Sequence, residues 1–216
     1  MSHYPPISLF DDLADPADWE LLAEAESRTN PRIFEEVGNL ALVPPERRLS
    51  GLGASWVMAS FTHVTPDRAS RFADGTFGAY YAAESMETAI HEHAFHMANH
   101  YRSTRDAPGW ISQVRELIGS IDAELVDLRG GGFDALLDPN SYAASQVFAR
   151  ECRASGADGI IYPSVRHSGG ECFAAFWPNV VTPPTQADHY AYHWNGESID
   201  YVRRISGDEQ VFALTL

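Results

Sequence analysis

The order of strand-like and helix-like segments constrains the fold of this chain more than any other sequence feature. Beyond residue 55, short apolar segments bounded by turn residues outnumber segments with helical periodicity, and the two kinds do not alternate strictly. A doubly wound parallel sheet needs that alternation, because a crossover helix joins its parallel strands. The order therefore favours an α+β fold with a mixed or antiparallel sheet and flanking helices. Asn195-Gly196 adds a strong signal for a hairpin turn between two of the strands.

Capping residues and local composition locate the individual elements. Ser85 and Ser141 are typical helix N-caps, and Asp15 precedes Pro16, a residue favoured at the first helical position. Gly156 fits the left-handed position after a helix. The predicted helices cover residues 17–27, 31–37, 86 to about 102, and 142–154. The predicted strands cover residues 55–64, 76–83, 111–118, 124–128, 159–163, 172–177, 189–194 and 198–205.

A chain of 216 residues can bury a sizeable core as one domain, and no linker-like segment marks a boundary. We expect one compact domain with three parts. These are an N-terminal helical extension over residues 1–54, a central core over residues 55–182, and a C-terminal β-hairpin extension over residues 183–216 that packs on the core.

The charge balance excludes several classes of function. Thirty acidic residues against fifteen basic ones give a net charge of −15, which disfavours binding to nucleic acids and to anionic membranes. All the basic residues are arginines. The absence of lysine excludes Schiff-base chemistry, lysine-linked pyridoxal phosphate and the phosphate-binding lysine of P-loops. The triple glycine at 130–132 is accordingly interpreted as a flexible loop.

The remaining composition is that of an intracellular protein. Cys152 and Cys172 are the only cysteines, and their spacing matches no metal-binding motif. The first residues resemble neither a secretion signal nor a transit peptide, and no stretch approaches eighteen consecutive apolar residues. We therefore expect a cytoplasmic protein with two reduced thiols.

The segment HEHAFHMANH, residues 91–100, is the first candidate for a functional motif. A zinc-protease helix needs a second histidine four positions after the first, and Phe95 occupies that position. His93, His96 and His100 lie within about 60° on one helical face and form an alternative metal-binding set. A polar border beside the apolar stripe of this helix is the simpler interpretation.

A second candidate set is spread over several elements. Arg71 precedes the turn at Asp74-Gly75, Tyr81 lies on the following strand, Glu92 lies on the next helix, and Ser164 directly follows a later apolar strand. Glu92 lies about 130° from the centre of the apolar stripe of its helix, so it is not expected to be a core residue. Each residue alone has a structural explanation.

Together, however, these residues resemble the signature of the RES-domain family. The run RASRFADGTFGAYYAAESMETAIHEHAFH has an arginine before a glycine-containing turn, a strand ending in Tyr-x-Ala, and Thr-Ala-x-x-Glu on a helix. The later run IIYPSVRHSGGECFAAFWP resembles the serine segment of the family. The resemblance covers residues 55 to 182. The chain departs from it at His63, where the family commonly has an arginine, and at Glu171-Cys172, where an asparagine is often found.

This resemblance implies a fold, an activity and a partner. RES proteins are toxins of toxin–antitoxin pairs, with a split sheet similar to that of ADP-ribosyltransferases. They consume NAD, transferring ADP-ribose to water, phosphate or a protein. The partner implied is an antitoxin with a helix-turn-helix. No metal is implied as a cofactor. The nicotinamide ring carries a positive charge in NAD and leaves as a neutral molecule, so its departure requires no metal.

The resemblance also implies roles for individual residues. Glu92 would stabilise an oxocarbenium ion, and Arg71 would bind the pyrophosphate of NAD. Tyr81 would stack on the nicotinamide, and the hydroxyl of Ser164 would anchor the nicotinamide or its ribose. Further contacts to NAD would come from His63, Arg68 and Arg166. Two alternatives remain open, namely a metal-dependent hydrolase that uses His93, His96 and His100, and a non-catalytic module that binds a protein partner.

Overall fold

A computed structural model of the protein describes residues 15–28, 35, 37–207 and 210–214, without the side chains at positions 26 and 68. The α-helices that it describes in full are α1 Trp19–Ser27, α2 Ala54–Thr62, α3 Met86–Arg102 and α4 Ala143–Ala154. The strands are β1 Tyr80–Ala83, β2 Gly109–Ile118, β3 Val126–Asp127, β4 Gly159–Pro163, β5 Glu171–Ala175, β6 Thr185–Trp194, β7 Ile199–Arg204 and β8 Gln210–Ala213. Short 3-10 helices cover Pro16–Asp18, Leu40–Leu42, Pro45–Arg47, Pro66–Arg68 and Pro178–Val180.

The strands form two four-stranded sheets. The first has the order β1-β5-β4-β3, in which only the pair β3 and β4 is parallel. The second has the order β2-β6-β7-β8, and each of its pairs is antiparallel. The predicted α+β class with a split, largely antiparallel sheet is confirmed, and the arrangement is consistent with an ADP-ribosyltransferase-like fold.

The segment 55–64, predicted as a strand, is the helix α2, so this prediction is wrong. Its apolar and β-branched composition suggested a strand, but its periodicity is helical. Ala54, Val57, Met58 and Phe61 follow the spacing i, i+3, i+4, i+7 and pack in one core cluster, with at most 3% of each residue exposed. In a helix this spacing places all four side chains on the same face, whereas in a strand it would divide them between two faces.

Two further strands are shorter than predicted. Of residues 76–83 only Tyr80–Ala83 is a strand, and of residues 124–128 only Val126–Asp127 is one. The short β3 lies at the edge of its sheet and pairs only with β4. At the end of β3, the carboxylate of Asp127 accepts a hydrogen bond from the backbone N–H of Arg129. This contact stabilises a turn where the chain leaves the sheet.

The predicted helix boundaries are mostly confirmed. Helix α3 begins at Met86, and the N-cap Ser85 accepts a hydrogen bond from the N–H of Thr88 at 3.2 Å. Asp15 caps the 3-10 turn that leads into α1. The cap predicted at Ser141 is wrong, because α4 begins at Ala143 with Tyr142 as its N-cap. The predicted helix over 31–37 lies largely outside the described residues.

Both segments outside the predicted core pack against it. Trp19 of α1 is fully buried and belongs to the same core cluster as α2. The C-terminal segment supplies β6, β7 and β8, and β6 is hydrogen-bonded to β2 along most of its length. No helix among the described residues has both the length and the apolar composition that a membrane-spanning segment requires.

Helix α3 lies between the two sheets and contacts both. One face carries Ile90, Ala94 and Ala98, which pack in a cluster with aromatic side chains of β6. The opposite face carries Thr88 and Glu92, which contact residues after β4 and in β5. The expectation that Glu92 lies away from the apolar stripe of its helix is therefore confirmed.

A close approach at Gly78 holds the segment before β1 against α2. A Cβ atom at this position would lie 2.1 Å from the carbonyl oxygen of Ser60. Because the backbone must shift to relieve this clash, we expect Gly78→Ala to lower the free energy of unfolding by roughly 1–3 kcal/mol. Chemical denaturation measures the change. Gly130→Ala is the control, since a Cβ there would meet nothing within 4 Å, and an equal change in both variants would contradict the prediction.

Candidate functional site

The carboxylate of Glu92 and the hydroxyl of Ser164 meet where α3 passes the end of β4. The Ser164 hydroxyl donates a hydrogen bond to Glu92 Oε1 at 2.6 Å, although the two residues are 72 positions apart in the chain. Both side chains are partly buried. Hydrogen bonds to an ionised acceptor are short and strong, so this contact fixes the orientation of the carboxylate.

The loop after β4 holds the Ser164 hydroxyl in place. Its oxygen accepts hydrogen bonds from the backbone N–H groups of Arg166 at 3.1 Å and His167 at 2.9 Å. The backbone N–H of Ser164 donates to the carbonyl of Gly170 at 2.8 Å, which closes the loop. Gly170 is required there, because a Cβ atom would lie 2.4 Å from the hydroxyl of Thr88 on α3. The serine is thus bonded to both the loop and the helix.

Removing this hydroxyl should destabilise the protein. In Ser164→Ala, two backbone N–H groups and the Glu92 carboxylate lose their partner, so we expect the free energy of unfolding to fall by about 1–3 kcal/mol. Urea denaturation measures this loss. The control is Ser168→Ala in the same loop, where the side chain is exposed and makes no hydrogen bond among the described residues. Equal stability of the two variants would contradict this account of the loop.

Cys172 and Tyr162 form the buried side of the site. The thiol of Cys172 lies 3.8 Å from Glu92 Oε1. Burial, together with the charge of Glu92, raises the pKa of this thiol to about 12. Burial also raises the pKa of the Tyr162 phenol well above its usual value. Both groups are therefore neutral at physiological pH, so the buried side of the site next to Glu92 carries no charge.

Arg71 is almost completely buried, with 7% of the residue exposed. Its Nη1 donates hydrogen bonds to the carbonyl oxygens of Leu136 at 3.1 Å and Asp138 at 2.8 Å. The guanidinium lies over the ring of Tyr142, 4.7 Å from the centroid. The hydroxyl of Ser145 on α4 holds the backbone of Arg71. Among the described residues, Nε and Nη2 of Arg71 have no partner, so they remain available to a ligand.

Arg166 also binds the segment that contains Leu136 and Asp138. Its Nη2 donates a hydrogen bond to the carbonyl of Pro139 at 2.7 Å, and its guanidinium lies 3.5 Å from the centroid of the Phe95 ring. The two arginines thus bind the carbonyls of three residues in the segment 136–139. Nothing in the sequence pointed to this segment except the neighbouring triple glycine, which was interpreted only as a flexible loop.

Tyr81 is exposed as a residue, whereas its hydroxyl is buried. The residue is 37% exposed, but its hydroxyl accepts a hydrogen bond from the backbone N–H of Phe72 at 2.8 Å and is also bonded to Ser70. Burial of the hydroxyl raises its pKa to about 12. Arg71 and Tyr81 are therefore held together, because the segment 70–72 joins them.

The charges at these positions influence one another. Burial lowers the pKa of His96, the Glu92 carboxylate raises it, and the positive charges of Arg166 and Arg71 lower it further. These three charged groups thus lie close enough to His96 to influence its pKa. Hydrogen bonds link the same residues: Glu92 to Ser164, Ser164 to the backbone of Arg166, and both Arg166 and Arg71 to the segment 136–139. Tyr81 binds the backbone next to Arg71, so all five residues belong to one region of the structure.

His63 makes no contact with Glu92, Ser164 or Arg71 among the described residues. It is exposed at the end of α2, and its ring nitrogens contact the carbonyl of Glu35 and the hydroxyl of Thr62. A cavity of about 70 Å³ lies beside it and is lined by Ser70 and Gly78 but not by Glu92. Pockets that enclose small ligands usually have about 300 Å³ or more, so this cavity is too small for a dinucleotide. The side chain of Arg68 lies outside the described part of the chain.

The histidines of the alternative metal site do not form a ligand cluster. Among the described residues, no group of ligand atoms within 4.8 Å of one another includes His93, His96 or His100. His93 instead packs against Tyr192 of the second sheet, with 5.4 Å between ring centroids, and burial lowers its pKa to about 4. The alternative of a metal-dependent hydrolase therefore lacks its ligand set among the described residues.

Comparison with known proteins identifies the family of the chain. A family model described as "RES domain" matches residues 45–195, which is more than half of the chain and includes every residue of the region around Glu92. The chain belongs to the RES domain family. This family is associated with toxins that act on NAD, which supports a toxin-like, NAD-related role for this member.

The chain is also similar to a curated relative from a bacterium. The uncharacterized protein y4oC of Sinorhizobium fredii (strain NBRC 101917 / NGR234) is 28% identical over 198 residues. The aligned region covers 92% of this chain and 82% of the relative. The similarity thus extends beyond the RES domain into the segments on either side of it.

Proposed function

We propose that this RES domain protein cleaves the bond between nicotinamide and ribose in NAD and transfers ADP-ribose to water, phosphate or a protein acceptor. The observation that carries the proposal is the Glu92 carboxylate, held at 2.6 Å by the hydroxyl of Ser164, whose loop also carries Arg166. Arg166 and Arg71 both bind the segment 136–139. A fixed negative charge close to cationic groups suits a ligand with a cationic ring and an anionic pyrophosphate.

The chemistry needs little more than a positioned carboxylate. The bond from the anomeric carbon to the nicotinamide nitrogen breaks, and its electron pair leaves with the now neutral nicotinamide. The anomeric carbon gains oxocarbenium character, which a fixed carboxylate stabilises because the two charges attract. An oxygen of the acceptor then bonds to this carbon and releases its proton to Glu92 or to solvent. The neutral Cys172 thiol and Tyr162 phenol keep the charge of Glu92 from being screened.

The arginines supply the positive charge that the protein as a whole lacks. With a net charge of −15, the chain repels a dinucleotide except where cations are concentrated. Arg71 offers Nε and Nη2, which make a bidentate fork for a phosphate oxygen pair. Tyr81, which is 37% exposed, offers an aromatic ring for stacking beside it. His63 would contribute to binding only if NAD extends to the end of α2.

Chromatography of nucleotides tests the proposal directly. Purified protein is incubated with NAD, with and without phosphate. ADP-ribose would indicate hydrolysis, and ADP-ribose-1″-phosphate would indicate phosphorolysis. Release of nicotinamide together with modified protein would indicate transfer to a protein acceptor. Unchanged NAD after long incubation at high protein concentration would contradict the proposal and favour a non-catalytic binding module.

We further propose a protein partner, an antitoxin with a helix-turn-helix, because RES proteins act as toxins in pairs of this kind. A tagged copy of the protein should copurify with the product of the neighbouring open reading frame when the two are expressed together. Expression of the tagged chain alone should then inhibit growth. A harmless monomer that binds no neighbour product would contradict this partner.

A further inference from the structure

Three potential metal ligands meet beside the Glu92 site, although no sequence motif selected them as a set. Glu87 and His91 lie four positions apart on the first turns of α3, and His167 belongs to the loop after β4. Each offers a ligand atom, and these atoms all lie within 4.8 Å of one another. Nε2 of His167 is 3.8 Å from Oε1 of Glu87, and the two imidazole rings are stacked with 4.7 Å between centroids.

The surroundings of the two imidazoles suit them as metal ligands. The Thr88 hydroxyl, which is almost fully buried, lies 2.9 Å from Nδ1 of His167. This contact fixes the ring and leaves Nε2 directed towards Glu87, as outer-shell hydrogen bonds do for metal-bound histidines. Nδ1 of His91 is buried and has no hydrogen-bond partner among the described residues. A buried polar atom without a partner is unusual in a folded protein, and it keeps this imidazole free of a competing bond.

The site is open to solvent on one side. The Glu87 side chain is 72% exposed and the His167 side chain 25% exposed, so an ion can enter from solvent without rearrangement of the core. Because the His91 ring is stacked parallel to that of His167, it must turn for both imidazoles to face the ion. Two imidazole nitrogens and one carboxylate oxygen are the ligands of many zinc sites with an open position. Calcium and magnesium prefer oxygen ligands only, so this set selects against them.

We propose that Glu87, His91 and His167 form a binding site for one divalent transition-metal ion of the Zn²⁺ type, with an open position towards solvent. A bound ion would tie the first turns of α3 to the loop that carries Ser164, because the N–H of His167 donates to the Ser164 hydroxyl. The ion would therefore stabilise this loop. The proposal does not depend on activity towards NAD.

Metal titration of tag-free protein tests the site. Isothermal titration calorimetry with Zn²⁺ should give one site per chain, and Co²⁺ should give the visible absorption of a four- or five-coordinate ion. Loss of an outer-shell partner typically weakens metal binding by about 10–100-fold, so we expect loss of a direct ligand in Glu87→Gln or His91→Gln to weaken it by at least roughly 100-fold. Zn²⁺ should raise the melting temperature of the unchanged protein but not of these variants.

Matched controls distinguish this site from general binding to acidic groups and histidines. Glu84→Gln removes an exposed carboxylate just before α3, and His100→Gln removes an exposed imidazole from the same helix. Both should bind Zn²⁺ as the unchanged protein does. Equal weakening in the control and ligand variants, or no saturable binding in the unchanged protein, would overturn the proposal. Because Glu87 is largely exposed, Glu87→Gln is expected to fold normally.

Discussion

Glu92→Gln should lower the turnover of NAD by roughly 100-fold or more, while the apparent affinity for NAD changes much less. Glutamine keeps the shape of the side chain and can still accept the hydrogen bond from Ser164, but it lacks the negative charge. That charge matters most when the ribose becomes an oxocarbenium ion, so its loss acts on the transition state. Steady-state kinetics of nicotinamide release gives kcat and KM separately.

The control for this variant is Glu84→Gln, which removes an exposed carboxylate that makes no side-chain contact with the site. It should keep the full turnover. Thermal denaturation should show that Glu92→Gln is folded, because Glu92 lies on the side of α3 away from the second sheet. Undiminished NAD consumption by a folded Glu92→Gln protein would end the assignment of Glu92 as the catalytic carboxylate.

Arg71→Ala should weaken NAD binding by about 10–100-fold, because the pyrophosphate loses its charge-assisted hydrogen bonds. It should also lower the free energy of unfolding by about 1–3 kcal/mol, because the carbonyls of Leu136 and Asp138 lose their donor. The burial of Arg71, which is 7% exposed, is the reason for this second expectation.

The measurement is best made in the Glu92→Gln background, where NAD is consumed slowly enough for calorimetric titration. Arg71→Lys keeps the positive charge but not the planar fork, so it should restore only part of the affinity. Arg105→Ala is the matched control, since it removes one positive charge from an exposed position. If Arg71→Ala and Arg105→Ala weaken binding equally, net charge rather than a specific contact explains the effect.

The elements that the sequence predicted well are those with local signals. Helix α3 combines a serine cap with a helical apolar period, and its boundaries are correct. The hairpin between β6 and β7 is correct because Asn195-Gly196 supplies the left-handed residue, with φ of 102° at Gly196. The segment of helix α2 has the composition of a strand, and only its apolar period indicates a helix. The extent of β1 and β3 depends on contacts between distant segments, which local composition does not contain.

The site was only partly accessible to sequence reasoning. The set of Arg71, Tyr81, Glu92 and Ser164 came from a resemblance to a family, because each residue alone had a structural explanation. The contact between Glu92 and Ser164 joins residues 72 positions apart, which no local pattern reveals. Cys172 was predicted only to be a reduced thiol, and its proximity to Glu92 is visible only in three dimensions.

The hydrogen bonds from Arg71 and Arg166 to the segment 136–139 have a consequence for sequence variation in this family. Both side chains bind backbone carbonyl oxygens, which every amino acid carries. The exposed Pro139 and the partly exposed Asp138 can therefore change during evolution without loss of the contacts, provided that the length of the segment is kept. Relatives should then differ in residue identity at these positions but rarely in the number of residues, and insertions there should be selected against more strongly than substitutions.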